Sequence, residues 1–109
     1  MFNLFGLLNP QKTYQDIDPK DVVLSDFELV DVREPVEFSS GHLPKATSLP
    51  LQQVQNIEQI FAKDKKILVI CQSGRRSVAA CRKLHHLGYT HLYNLKGGMI
   101  AWNQQRGTL

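Results

Sequence analysis

The chain has 109 residues, of which 42% are hydrophobic and 21% are charged, and its formal net charge is +3 at pH 7. This length suits one domain with one hydrophobic core, and the composition is that of an ordinary globular protein. So mild a charge, without a basic stripe interleaved with aromatic residues, argues against nucleic acid as a partner. Two cysteines that form no C-x-x-C pair exclude a disulfide framework, so we expect reducing, cytoplasmic surroundings.

The chain begins with a short apolar segment, residues 1–8. This segment is too short to span a bilayer, and it lacks the basic start, long apolar stretch and cleavage site of a signal peptide. We expect residues 1–12 to form an N-terminal arm and residues 13–109 to form the domain. We also expect no transmembrane segment, and a monomer or a weak oligomer.

Short strands and helices are predicted to alternate in the first half of the domain. The pair Asp18-Pro19 is typical of a helix start, and Glu34-Pro35 predicts a short helix that ends near Gly41. Runs with strand-like composition occupy three segments: residues 14–17, 28–32 and 46–49.

The second half begins with apolar residues at helical spacing, which predict a helix with one apolar face: Leu51, Val54, Ile57, Ile60 and Phe61. The purely apolar run Ile67–Ile70, with charges before it and Gly74 after it, predicts a buried parallel strand. Residues 78–87 contain no helix breaker and predict a helix that ends at Gly88. A fifth strand is expected at residues 91–94 and a last helix at residues 98–105.

This alternation predicts an α/β fold: a mainly parallel five-stranded sheet with helices on both faces. Ligands of such folds bind beyond the carboxyl ends of the strands. Cys71 follows one predicted strand, and Asp31 and Arg33 lie at the end of another. The pattern therefore places these three residues at the same edge of the sheet.

Cys71 is the candidate nucleophile because it stands between a buried strand and a helix. Unpaired backbone N–H groups at the helix N-terminus, together with Arg75 and Arg76, attract anions and favour the thiolate. Gly74 allows a tight turn because it tolerates a positive φ. We therefore predict a reactive sulfur within a ring of backbone N–H groups.

The spacing C-x4-R from Cys71 to Arg76 resembles the active-site loop of the rhodanese family of thiosulfate sulfurtransferases. The resemblance extends from about Tyr14 to Trp102. Lys45 departs from it, since the family usually has glycine there, and this affects the turn geometry. Three further segments match the family's motifs in order: Leu29-Val30-Asp31-Val32-Arg33-Glu34, Gly41-His42-Leu43-Pro44, and Gly97-Gly98-Met99-Ile100-Ala101-Trp102.

The resemblance implies roles for these residues. Cys71 would be catalytic and carry sulfur as a persulfide, while Asp31 and Arg33 would support the loop beside it. We expect Arg76 to close the loop and bind the anion, and Arg75 to face solvent. The anion would be bound by the loop residues: Gln72, Ser73, Gly74, Arg75, Arg76 and Ser77. Of the two roles open to Ser77, capping the helix and bonding the sulfur, we favour capping.

The function implied is transfer of a sulfane sulfur from thiosulfate, or a similar small anionic donor, to cyanide or a cellular thiol, protein thiols included, with no metal or cofactor. One alternative is a persulfide carrier or regulatory module with little thiosulfate activity. Another is a cysteine phosphatase or arsenate reductase, but those relatives have C-x5-R loops, and the corresponding arginine position here is Ser77. The shorter loop has less room for a tetrahedral oxyanion and favours sulfur transfer.

The remaining candidates are interpreted as structural. Cys81 lies on the apolar helix face and is expected to pack there as an inert thiol. Glu37 is expected to be structural, and Met99, Ile100 and Trp102 to lie in the core. The four histidines show no metal-ligand spacing.

Overall fold

The computed structural model describes residues 13–107, so the expected N-terminal arm lies outside the described residues. The five strands are β1 Gln15–Ile17, β2 Glu28–Asp31, β3 Thr47–Ser48, β4 Ile67–Ile70 and β5 Leu92–Leu95. The α-helices are α1 Pro35–Ser39, α2 Arg75–His86 and α3 Gly98–Arg106. Three segments form 3-10 helices: Pro19–Asp21, Leu24–Asp26 and Leu51–Gln59.

The strands form one parallel sheet in the order β1-β5-β4-β2-β3. β4 occupies the centre because its four residues are all apolar and can be buried on both faces. Its Val69 pairs with Val30 of β2 on one side and with Asn94 of β5 on the other. The predicted five-stranded parallel α/β fold is confirmed.

Two hydrophobic clusters cover the two faces of the sheet. Ile67 and Val69 of β4 belong to the cluster that includes residues of α2 and the long 3-10 helix. Leu68 and Ile70 belong to the cluster that includes Met99 and Trp102 of α3. Each fully buried side chain of this size contributes about 2 kcal/mol through removal from water. The alternation along β4 thus fixes which helix covers which face.

Residues 51–59 form a 3-10 helix instead of the expected α-helix. Side chains three residues apart eclipse one another in a 3-10 helix. Val54 and Ile57 therefore point the same way, and both are fully buried. Ile60, three residues further on, lies past the helix end and is 45% exposed, so it does not extend the buried face.

Two further expectations were wrong. α2 begins at Arg75, three residues earlier than expected, because Gly74 in left-handed conformation precedes its first turn. Ile100 is 46% exposed, although Met99 and Trp102 are buried as expected. Within residues 13–107, none of the helices has the length and apolar character needed to cross a membrane.

Candidate active site

Cys71 follows the last residue of β4 and is fully buried. Its sulfur accepts a hydrogen bond from the backbone N–H of Gly74 over 2.9 Å. The hydroxyl oxygen of Ser77 lies 3.3 Å from the same sulfur. Among the described residues these are the two hydrogen-bonding neighbours of Sγ, so the expected ring of N–H groups is a single backbone donor with a hydroxyl beside it.

The loop after Cys71 turns sharply because of Gly74. Its φ is +95°, and a Cβ at this position would lie 3.1 Å from the backbone nitrogen of Gly97. Ser73 and Arg75 are exposed, whereas Gln72 is half-buried. Arg75 therefore faces solvent, as expected.

The N-terminus of α3 holds the loop in place. The N–H groups of Met99 and Ile100 donate to the carbonyl oxygens of Cys71 and Gln72, over 2.9 and 3.1 Å. A Cβ on Gly98 would lie 2.5 Å from those same backbone atoms. The first N–H groups of a helix lack partners within it, and here they bind the loop's carbonyl groups. Only glycine at position 98 permits that approach.

Arg33 connects the end of β2 to the loop. Its guanidinium donates to both carboxylate oxygens of Asp31, with Nη2–Oδ2 at 2.8 Å. Nη1 donates to Oε1 of Gln72 over 3.2 Å, and Nη2 also donates to the carbonyl oxygen of Gly41 over 2.7 Å. Both members of the pair are buried. Asp31 thus orients Arg33, and Arg33 fixes the side chain of Gln72.

Arg76 pairs with a carboxylate in the structure, and its role in binding the anion stays a prediction. Its two terminal nitrogens donate to the carboxylate of Glu37 on α1, over 2.7 and 2.9 Å. The hydrogen bond from Arg76 lowers the pKa of Glu37 from 4.5 to about 2, and the same bond raises the pKa of Arg76. Arg76 therefore ties the loop end of α2 to α1, and Glu37 is structural as expected.

Ser77 differs from its expected role, because the N-cap of α2 is Gly74. Ser77 is buried in the first turn, and its hydroxyl donates to Oδ1 of Asn94 on β5. Nδ2 of Asn94 in turn donates to Oδ1 of Asp16 on β1 over 2.9 Å. The sequence analysis missed Asn94 and Asp16, and their spacing offers no local signal because they lie on different strands.

A cleft of about 380 Å³ opens beside the loop. Arg33 and Gln72 line one part of it, and Met99 and Asn103 of α3 line another. Cys71 is not among the residues that line this cleft, and it is fully buried. The next residue, Gln72, does line the cleft, so the cleft reaches the active loop.

The second thiol has a different environment. Cys81 is fully buried in the core, and burial raises its pKa to about 12. It therefore remains protonated at neutral pH, which agrees with a packing role. Within residues 13–107 no three histidine, cysteine or acidic side chains come close enough together to hold a metal ion.

Residues 9–105 match the family described as Rhodanese-like domain. The chain belongs to this family. Among solved structures, a rhodanese-related protein from Thermoplasma volcanium is similar with a TM-score of 0.77 and 31% identity, covering 84% of this chain and 93% of that one.

Two curated relatives are named sulfurtransferases. A sulfurtransferase of Allochromatium vinosum is 40% identical over 85 residues, which are 78% of this chain and 75% of that protein. Thiosulfate sulfurtransferase 16, chloroplastic, of Arabidopsis thaliana is 33% identical over 94 residues, covering 75% of this chain and 78% of that protein. The match spans only 60% and 50% of two other relatives, from Bacillus subtilis and Synechocystis. The rhodanese-like domain and its sulfurtransferase relatives support a role in sulfur transfer.

Proposed function

We propose that this chain moves a sulfane sulfur from thiosulfate, through a persulfide on Cys71, to a thiophilic acceptor. The observation that carries the proposal is the position of Cys71 at the carboxyl end of β4, with the Gly74 N–H donating to its sulfur over 2.9 Å. That donor is fixed before any substrate arrives, because Met99, Ile100 and Gly98 hold the loop backbone. Preorganised donors stabilise charge that develops on the atom they face.

The first step transfers one sulfur atom. The Cys71 thiolate attacks the outer sulfur of thiosulfate, the S–S bond of the donor breaks, and sulfite leaves with the electron pair. The product, a Cys71 persulfide, carries the single negative charge that the thiolate carried. Because Cys71 is fully buried, its sulfur must become accessible to the donor for this attack.

The second step restores the thiolate. Cyanide, or the thiolate of a cellular acceptor, attacks the outer persulfide sulfur and leaves as thiocyanate or as an acceptor persulfide. Two half-reactions through one covalent intermediate predict ping-pong kinetics. In each step one bond to the transferred sulfur breaks as another forms, so the reaction as written needs no external oxidant or reductant.

Intact mass after incubation with thiosulfate tests the proposal directly. The wild-type chain should gain the mass of one sulfur atom, which cyanide should remove as thiocyanate. Cys71→Ser should gain none and should lose turnover by about a thousandfold or more. Cys81→Ala is the matched control: it should still gain one sulfur and lose about 1 kcal/mol of stability through the missing buried sulfur.

The donor is tested in the same experiment by three parallel substrates: thiosulfate, a protein persulfide and an aryl phosphate. Loading from thiosulfate supports the proposal. Loading from the protein persulfide alone would replace it with a carrier function. Efficient cleavage of the aryl phosphate would mean that the four-residue spacing between Cys71 and Arg76 does not exclude phosphoryl chemistry.

A further inference from the structure

A chain of hydrogen bonds leads from the Cys71 sulfur to an edge of the sheet. Ser77 Oγ lies 3.3 Å from the sulfur and donates to Oδ1 of Asn94, whose Nδ2 donates to Asp16 over 2.9 Å. Ser77 and Asn94 are buried, whereas Asp16 is exposed on the edge strand β1. The candidate nucleophile is thus connected to a carboxylate at the surface.

The carboxylate fixes the direction of each bond in this chain. An ionised carboxylate only accepts, so the amide nitrogen of Asn94 must face Asp16 and the amide oxygen must face Ser77. The amide oxygen cannot donate, so the single hydroxyl proton of Ser77 points at Asn94. Ser77 Oγ can therefore accept a hydrogen bond from the Cys71 thiol but cannot donate one to its sulfur.

We propose that Asn94 and Asp16 are positioning residues that turn the Ser77 hydroxyl away from Cys71 and so favour the protonated thiol in the resting protein. The thiol proton then points at Ser77 Oγ, while the Gly74 N–H donates to the sulfur over 2.9 Å. A thiolate in this place would face a lone pair of Ser77. The hydroxyl must leave Asn94 before it can donate to the sulfur of a thiolate or a persulfide.

Other charged and titratable groups also act on this thiol. Arg76 and Cys81 of α2 interact electrostatically with Cys71. Arg33, after the end of β2, contacts the adjacent Gln72, and Glu37 of α1 pairs with Arg76. All four side chains are kept in the variants below. Both Asp16 variants remove the charge that also acts on Cys81, so a difference between Asp16→Ala and Asp16→Asn reports on the hydrogen bonds through Asn94.

Iodoacetamide alkylates the thiolate form of a cysteine, so the alkylation rate of Cys71 as a function of pH reports the ionised fraction of this thiol. Mass spectrometry of the peptide that contains Cys71 measures that rate. Asp16→Ala removes both the charge and the acceptor of the Asn94 amide. We expect its pH profile to move down by about half to one unit, and its rate at pH 7 to rise about three- to tenfold. Asp16→Asn removes the charge but keeps an acceptor oxygen, and its profile should move by less than half as much.

Equal shifts in these two variants would overturn the proposal, because the lost charge alone would then explain them. An unmoved profile in Asp16→Ala, or one moved to higher pH, would overturn it as well. Asn94→Ala is a second test variant, which interrupts the chain of hydrogen bonds but keeps the charge of Asp16. Its pH profile should shift in the same direction as that of Asp16→Ala. Because Asn94 is buried, its thermal unfolding is measured first, and the Asp16 pair decides the matter if Asn94→Ala does not fold.

This inference rests on the proposed function only in taking Cys71 as the reactive thiol. Alkylation requires no sulfur donor, so the two proposals fail separately. A chain that takes no sulfur from thiosulfate could still give the expected profiles. Conversely, a chain that forms the persulfide could give equal shifts in both Asp16 variants.

Discussion

Lys45 adopts a left-handed backbone conformation with φ of +64°. Among the described residues it is the one non-glycine residue with a positive φ. Its side chain is exposed, so no packing compensates for the steric conflict between Cβ and the backbone. The turn at Lys45 therefore carries a local conformational cost.

Lys45→Gly should stabilise the protein. Relief of the left-handed conformation outweighs the greater backbone entropy that glycine loses on folding, by about 0.5–1 kcal/mol. A gain of this size raises Tm by several degrees in a domain of this length, which differential scanning calorimetry resolves. Lys45→Ala is the control, since alanine keeps the Cβ and should gain nothing. A gain in Lys45→Ala equal to that in Lys45→Gly would mean that the lysine side chain is responsible.

At the scale of elements, the loop after β4 and the start of α3 fit together through glycine. The backbone of Cys71 and Gln72 lies where a Cβ on Gly98 would be, 2.5 Å away. The atoms that this Cβ would meet all belong to the backbone, so no side chain can move to make room. The pair Gly97-Gly98 at the start of α3 therefore positions the loop by allowing the helix N–H groups to reach its carbonyl oxygens.

Gly98→Ala should displace the loop and remove both function and stability. We expect a loss of about 3 kcal/mol in the free energy of unfolding, from the clash and from the φ of +64° together. Gly107→Ala is the matched control, because Gly107 has a φ of +87° but no atom within 4 Å of its added Cβ. It should lose only about 1 kcal/mol and keep sulfur transfer. Equal losses in the two variants, measured by urea unfolding, would show that backbone strain and not the clash is responsible.

The ion pair between Arg76 and Glu37 joins two other elements, α2 and α1. The hydrogen bond from Arg76 depresses the pKa of Glu37 in the folded state to about 2. A depressed carboxyl pKa contributes stability that is complete above the unfolded value near 4.5 and is lost as the pH falls toward 2. The Glu37 and Arg76 side chains are 29% and 33% exposed, so solvent screening reduces the contribution to about 1 kcal/mol.

Glu37→Gln should therefore be less stable than the wild type by about 1 kcal/mol at pH 7, with a difference that disappears between pH 4.5 and pH 2. Urea unfolding at a series of pH values measures it. Glu58→Gln removes a carboxylate from the more exposed pair with Lys63 and serves as the control. A constant difference for Glu37→Gln from pH 7 to pH 2 would contradict the assigned role of the ion pair.

Across the whole molecule, the sequence predicted the sheet well because local patterns determine it. The apolar run of β4 can only be a central strand, and alternating strands and helices require parallel pairing. The partners of Arg76 and Ser77 could not be predicted in the same way. Glu37 lies 39 residues from Arg76, and Asn94 lies 17 residues from Ser77, so these contacts depend on how α1 and β5 pack around α2.

The i+3 spacing of Leu51, Val54 and Ile57 agrees with the type of helix that forms there. An amphipathic α-helix mixes steps of three and four residues, whereas steps of three alone fit a 3-10 helix. The structure forms that 3-10 helix over Leu51–Gln59. Val54 and Ile57 lie in the buried cluster that also contains Cys71, and the partly buried Leu51 packs against it. The tighter helix therefore covers the same face of the sheet that the nucleophile occupies.

Experiments can separate two electrostatic influences on a dianionic substrate: the net charge of the protein and the position of a single arginine. Thiosulfate is a dianion, and Arg75 is exposed on the active loop without a hydrogen bond or ion pair to residues 13–107. Arg82 is also exposed on α2, seven residues further on and so roughly 10 Å along the helix axis. Replacing either arginine by alanine lowers the formal net charge of +3 by one.

If sulfur transfer from thiosulfate proceeds as proposed, Arg75→Ala should raise KM about two- to fivefold at low salt, because the dianion loses a nearby attraction. Raising the salt shortens the screening length from about 30 Å at 0.01 M to about 3 Å at 1 M, so the deficit should shrink to near the wild-type value. Arg82→Ala should raise KM less than Arg75→Ala does at low salt, since its charge lies farther from the loop, and should leave KM near the wild-type value at high salt. Steady-state kinetics of both variants measure this. Equal deficits would assign the effect to net charge, and a deficit of Arg75→Ala that persists at high salt would assign Arg75 a direct contact with the substrate.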